Sequence, residues 1–226
     1  MVGGFNQTGV GAVADANGIA GVNDLFEAEV ADTTEIGVKA RLLDQRLNLG
    51  LSLFSTKSEN SYFFVFLAAN STQNLGNLDA DYEGAEIELN AHVTDNFDMY
   101  ASYGYTDSKI TNMEDPSVRG NEAPLVSRMT ANLGAQYRYP IGDGLSGTIR
   151  ADYRRIGRTW WEPYNTTSRD PIDLLDARVG IEGEKWSAMV WGRNLTDEKY
   201  NAEFSPGGFL FRALPRRYGV EFGFKF

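Results

Sequence analysis

Cysteine is absent from this 226-residue chain, so disulfide frameworks, thiolate metal sites and cysteine nucleophiles are excluded together. The absence also suits passage through an oxidising compartment. Histidine occurs once, as His92, and a single imidazole cannot assemble a multi-histidine metal centre. Basic residues are outnumbered, 21 Lys and Arg against 31 Asp and Glu for a formal net charge of −10. With no basic cluster, no nucleic-acid partner is expected, because Lys and Arg must supply the phosphate contacts. No apolar run approaches the roughly 18 residues of a membrane helix; the longest, YFFVFLAA, occupies 62–69. The opening MVGGFNQTGVGAVADANG carries no basic residue and no compact apolar core, so it does not read as a secretory signal.

What is present is an all-β composition. Glycine is abundant at 24 residues and aromatics reach 12%, with Asn, Asp, Ser and Thr recurring between short apolar segments, as turns require. Within those segments the pattern has a period of two, the signature of a strand with two different faces. Ile36, Val38, Ala40 and Leu42 oppose Glu35, Gly37, Lys39 and Arg41; Leu47, Leu49, Leu51 and Leu53 share a face; Ala85, Ile87, Leu89, Ala91 and Val93 oppose Glu86, Glu88, Asn90 and His92. The alternation recurs in 97–105, 131–139, 145–153, 174–182 and 186–193, and again in the final YGVEFGFKF, where Tyr218, Val220, Phe222, Phe224 and Phe226 share one face. About nine to ten strands are predicted.

Alternation alone does not say which face is inside. A soluble sandwich used as a binding module would bury the apolar face, whereas a membrane barrel turns it to lipid and the polar face to its lumen. Three features favour the barrel. The alternating stretches run to about nine residues, close to the 9–11 that cross a bilayer and longer than the usual 5–6. Aromatics such as Phe97, Tyr137, Tyr139, Trp186, Phe224 and Phe226 sit where the apolar face meets a turn, as an interfacial girdle does. Connections alternate between tight (44–46, 94–96, 140–144, 183–185) and long (about 57–80, 106–127, 157–171, 197–214), matching short periplasmic turns and long extracellular loops.

Taken in order, GGFN at 3–6, TTEIGVKARLLDQRLNLGLSLF at 33–54, YEGAEIELNAHVTDNFDMYASYGYTDSKI at 82–110, GNEAPLVSRMTANLGAQYRY at 120–139 and WGRNLTDEKYN at 191–201 resemble the C-terminal part of the barrel of TonB-dependent outer-membrane receptors. The resemblance implies an antiparallel transmembrane barrel of about 22 strands in all, of which residues 33–226 supply nine or ten and residues 1–32 an extracellular loop region. It implies uptake of siderophore-iron, vitamin B12 or other scarce nutrients, no bond chemistry and no cofactor. Its implied partners are outer-membrane lipid and lipopolysaccharide, the barrel-assembly machinery, and, in a full-length relative, a plug domain and the TonB energy-transducing complex. Tyr218, Phe222, Phe224 and Phe226 match the C-terminal assembly signal of such barrels. No plug and no TonB-contact motif is found, so the chain is expected to be a fragment or truncated product. A self-contained small barrel or oligomeric porin is the alternative within the membrane class.

Site signals are sparse. Trp160, Trp161 and Tyr164, beside Arg158 and Arg169 in RIGRTWWEPYNTTSRD at 155–170, are candidate contacts for an aromatic, sugar-like or anionic ligand; the competing reading puts the aromatics in the girdle and the arginines on lipopolysaccharide phosphate. Glu86, Glu88, His92, Arg128, Arg138, Arg150 and Arg154 form an expected polar lumen network that would face a plug. GVGAVA at 9–14 fits a dinucleotide word without the strand that must precede it and is predicted to be a flexible surface loop. Asp170, Asp173 and Asp176 lack the calcium-loop spacing, and no G-x-S-x-G word accompanies His92.

Overall fold

The structure, a computed structural model, describes residues 2–142, 144–205 and 208–225. Nine strands form one antiparallel sheet: β1 (Val30–Leu42), β2 (Leu47–Leu67), β3 (Thr72–Thr94), β4 (Phe97–Asn112), β5 (Met129–Gly142), β6 (Leu145–Ile156), β7 (Ile172–Glu182), β8 (Trp186–Arg193) and β9 (Arg217–Phe224). Their spatial order is their sequence order, an up-and-down meander. Among the described residues β1 pairs only with β2 and β9 only with β8, so the sheet is open.

The register keeps every apolar face in phase. Val38 stands opposite Leu51, Leu51 opposite Ile87, Ile87 opposite Tyr103 and Tyr103 opposite Ala131. Tyr137 meets Ile149, which meets Val179, then Val190, then Val220. A slip of one residue in any pair would turn a strand inside out. Among the described residues no second layer covers this face: Val38 is 64% exposed and Phe222 69%. A sandwich would have buried these side chains.

Five aromatic side chains lie over the glycine directly opposite on the neighbouring strand: Phe54 over Gly84, Phe63 over Gly76, Tyr100 over Gly134, Tyr139 over Gly147 and Trp191 over Gly219. Each ring occupies the space a Cβ would need, with ring atoms 2.1–2.6 Å from that position. The ring shields a backbone that glycine leaves bare. The high glycine content is therefore a packing device as much as a turn signal.

The tight connections fall at one end of the sheet, at 43–46, 95–96 and 183–185, and Gly142 pairs with Leu145 at that same end. At the other end the structure corrects two expectations. The long loop expected at 57–80 is mostly strand, and the one expected at 106–127 opens on strand because β4 continues to Asn112: β2 and β3 run 21 and 23 residues, about 70 Å at 3.3 Å per residue against a hydrocarbon core of about 30 Å. The alternation was invisible there because both faces are apolar. Phe63 and Leu67 are buried under neighbouring segments on one side, while Tyr62 packs edge-on against Phe26 on the other, 5.5 Å between centroids.

The second correction concerns GVGAVA. Instead of a flexible loop, Val10–Ala16 forms a short helix, α1, preceded by Gly9 in the left-handed region at φ 81°. Val10 and Ala14, one helical turn apart, are buried with Val22 and Leu67. Such an i, i+4 pair does not show up against a strand period. A two-residue ribbon, Gly4–Phe5 with Leu25–Phe26, completes the segment, and Asn6 fastens it. Its Nδ2 donates to the Leu75 carbonyl at 2.8 Å and its Oδ1 accepts from the Leu75 N–H at 3.0 Å, as a neighbouring strand would. Residues 2–29 thus clasp the projecting β2–β3 hairpin.

Asp24 holds the start of α1 by accepting from the N–H of Gly11 and of Gly9, each at 2.9 Å. Those donors, Gly11 foremost, keep its carboxyl below the ordinary carboxylate range. A depressed folded pKa means the clasp is at full strength above the unfolded value and weakens as pH falls through the folded one. Asp24→Ala is expected to speed protease cleavage within residues 9–24 several-fold at neutral pH, and the native chain to show the same gain only on acidification. Cleavage sites read by mass spectrometry check this; an unchanged rate in the variant would refute it.

Candidate functional site

At the end remote from the tight turns, four segments converge on a cavity of about 260 Å³. The upper part of β2 contributes Tyr62 to Phe66, the β4–β5 connection Pro124 and Leu125, the β6–β7 connection Trp161 to Tyr164, and the β8–β9 connection Phe204. Trp161 stacks on Phe204 at 6.2 Å with 27° between planes.

The loop carrying Trp161 and Tyr164 is stiff for local reasons. Thr159–Trp160 pairs with Ser168–Arg169 as a ribbon. Between them the Glu162 carboxylate accepts from the N–H of Tyr164, Thr166 and Thr167 at 2.8, 2.6 and 2.9 Å, and from both threonine hydroxyls. Asn165, at φ 54°, ties this loop to its neighbour: its Nδ2 donates to the Glu122 carbonyl and its Oδ1 accepts from the Glu122 N–H, at 3.0 and 2.9 Å. Asn121 Nδ2 adds a bond to the Pro163 carbonyl and Leu125 N–H one to the Trp160 carbonyl. The aromatic walls are preorganised, which lowers the ordering cost of binding.

Of the five candidate contacts named from the sequence, Trp161 and Tyr164 line the cavity. Arg169 lies over the Trp161 ring at 5.7 Å and donates to Thr159 Oγ1 at 2.9 Å; burial pulls its guanidinium pKa down. Arg158 is turned to Asp170 at 3.8 Å and to the Trp160 ring at 5.7 Å, and neither Arg158 nor Trp160 lines the cavity. Burial, with Asp115 beside it, raises the Tyr164 phenol, which keeps it neutral. The strand residues 62–66, Leu125 and Phe204 were missed; the doubly apolar run YFFVFL was the signal for the first of these.

The expected lumen network is only partly connected. On the polar face Tyr100 donates to Asp152 at 2.7 Å, Arg150 grips the same carboxylate at 2.8–3.0 Å, and the guanidinium lies 5.5 Å from the Tyr100 ring. Near the tight turns Asp98 bridges His92 and Arg138. Arg128 sits higher, paired with Asp107 and Glu122 at 3.1 and 3.2 Å. Glu86, Glu88 and Arg154 form no ion pair with a described residue. Asp170, Asp173 and Asp176 have separate partners, Arg158, Arg155 and the Asn194 N–H, and no group of three metal-ligating side chains occurs among the described residues.

An open antiparallel meander with its apolar face bare, tight turns at one end and an aromatic pocket among long connections at the other defines the wall of a membrane-spanning β-barrel. The family is more specific. The model described as TonB dependent receptor-like, beta-barrel matches residues 2–195, and the chain belongs to that family, whose members are outer-membrane barrels. It is 27% identical over 222 residues to the probable TonB-dependent siderophore receptor PiuA of Acinetobacter baumannii, covering 90% of this chain and 28% of that protein. Against the ferrichrome outer membrane transporter/phage receptor of Escherichia coli it is 32% identical over 127 residues, 53% of this chain and 16% of the relative. The crystal structure of the ferric yersiniabactin uptake receptor FyuA from Yersinia pestis superposes with a TM-score of 0.76 at 19% identity, over 89% of this chain and 31% of that one. The chain therefore spans less than a third of these relatives. Tight turns are periplasmic and the pocket is extracellular in this class of barrel.

Proposed function

We propose that this chain forms part of the barrel wall and extracellular mouth of a receptor that takes up iron bound to a siderophore, powered through TonB and a plug supplied elsewhere in the receptor. The observation that carries the reading is the preorganised aromatic pocket at the extracellular end of a family-matched barrel wall. The similar proteins named as siderophore, ferrioxamine and ferrichrome receptors support the cargo class. The wall performs no bond chemistry in this scheme: it binds, shields and positions.

The open sheet supports dependence on further strands. With nine strands, β1 and β9 run in the same direction, so self-closure would need a parallel seam, and unpaired edge groups are costly in lipid. This weighs against the self-contained barrel. The outward face supports contact with lipid and lipopolysaccharide, and Tyr218, Phe222 and Phe224, all exposed on it, support recognition by the barrel-assembly machinery; Phe226 lies outside the described residues. The polar network of β4–β6 would face the plug.

Cells deleted for the receptor carrying this segment are expected to lose uptake of radioactive iron from at least one siderophore, and to regain it on complementation only when TonB is present. Unchanged iron uptake with loss of an iron-free nutrient would overturn the cargo assignment.

A further inference from the structure

The lining of the extracellular pocket is apolar and aromatic, and its one charged side chain is an acid, Glu162. No lysine or arginine lines it. The nearest cations lie outside that lining: Arg169 packs against Trp161 and bonds Thr159, forming no ion pair with a described residue and leaving its buried Nε without a partner, while Arg158 pairs with Asp170 and Arg128 is shared by Asp107 and Glu122. The acids Asp115 and Glu122 stand just outside, and Tyr164 is a neutral phenol. A polyanion entering here would lose water and meet no cation in the lining, while aromatic faces and a carboxylate favour apolar or positively charged groups.

Resting on the uptake reading above, we infer that this pocket selects iron chelates whose surface is uncharged or cationic and rejects polyanionic ones. Three hydroxamates cancel the charge of ferric iron; three catecholates leave the complex triply negative. The volume of about 260 Å³ is below the range of whole-ligand pockets, so it takes one apolar arm or face of the chelate.

The test is equilibrium binding of a ferric trihydroxamate and a ferric tris-catecholate to TonB-deficient cells displaying the full receptor, native or with Leu125→Arg or Tyr164→Arg. Both positions are at the accessible rim, 62% and 43% exposed, and surface amounts are normalised by antibody. The native receptor is expected to bind the trihydroxamate at least tenfold more tightly, and each arginine to narrow or invert that ratio. Tighter catecholate binding by the native receptor would overturn the charge inference and leave the uptake reading standing. Unchanged ratios in both variants would mean that another part of the receptor fills the pocket, which also overturns it. Binding of neither chelate, with binding of an iron-free solute, would sink both readings.

Discussion

A receptor carrying Gly84→Val is expected to yield almost no folded barrel, whereas Gly50→Val, one strand away on the same polar face, is expected to fold normally. The difference lies in what a Cβ would meet. At Gly84 it would fall 2.3 Å from the Tyr105 carbonyl oxygen and 2.4 Å from the Phe54 ring. The ring could rotate, but the carbonyl belongs to the ladder pairing β3 with β4, and moving it breaks hydrogen bonds that lipid cannot replace. The cost should exceed the usual overpacking penalty of about 1–3 kcal/mol. At Gly50 the nearest atoms are Glu88 Cβ at 3.7 Å and Oε2 at 3.9 Å, ordinary contacts, and valine suits a strand better than glycine does. The measurement is the fraction of receptor in outer membranes that shows heat-modifiable migration on gels. Native amounts of folded Gly84→Val would refute the account of aromatic-covered glycines.

The contrast between these two glycines marks how far sequence reasoning reaches. Strands β1 and β5 to β9, with the lower halves of β2, β3 and β4, were legible because one face meets lipid and the other a polar lumen, which writes a period of two directly into the residues. Above the membrane that contrast vanishes. Tyr62 to Leu67 are apolar on both faces, with Phe63 and Leu67 buried on one and Tyr62 packed against Phe26 on the other, so the strand read as a loop, and α1 read as a loop because seven residues give one buried pair and little more. Of the pocket, Trp161 and Tyr164 stood out as unusual residues in a long connection. Phe204, Leu125 and Phe64 lie on different connections and strands; what brings them together is tertiary, with Asn165 and Asn121 tying the β4–β5 connection to the β6–β7 one and Trp161 stacking on Phe204, and no local pattern announces it. The roles of Arg158 and Arg169 were legible as charge but not as direction, and direction decides whether an arginine serves a ligand or an aspartate.

The largest effect on the outward face is expected from Ile87→Arg. Ile87 lies about midway along the membrane-length part of β3, between Leu51 and Tyr103, and is 44% exposed. If that exposure were to water, an arginine there would cost little, since surface substitutions are usually within about 0.5 kcal/mol. If it is to lipid, the cost at mid-depth is about 2–4 kcal/mol, roughly a 30- to 700-fold shift in the folding equilibrium. Leu42→Arg, at the end of β1 beside a tight turn and also outward, should cost only about 0–1 kcal/mol because the guanidinium reaches the interface. Glu88→Arg, next to Ile87 but on the polar face, should be nearly silent for stability. Denaturant unfolding of the receptor in lipid vesicles measures all three. A graded loss, large at Ile87, small at Leu42 and smaller still at Glu88, has one physical source, a medium that is apolar at mid-strand and polar at its edges. Equal and small losses at Ile87 and Leu42 would mean that water bathes this face, and would bring down the barrel assignment together with the orientation built on it.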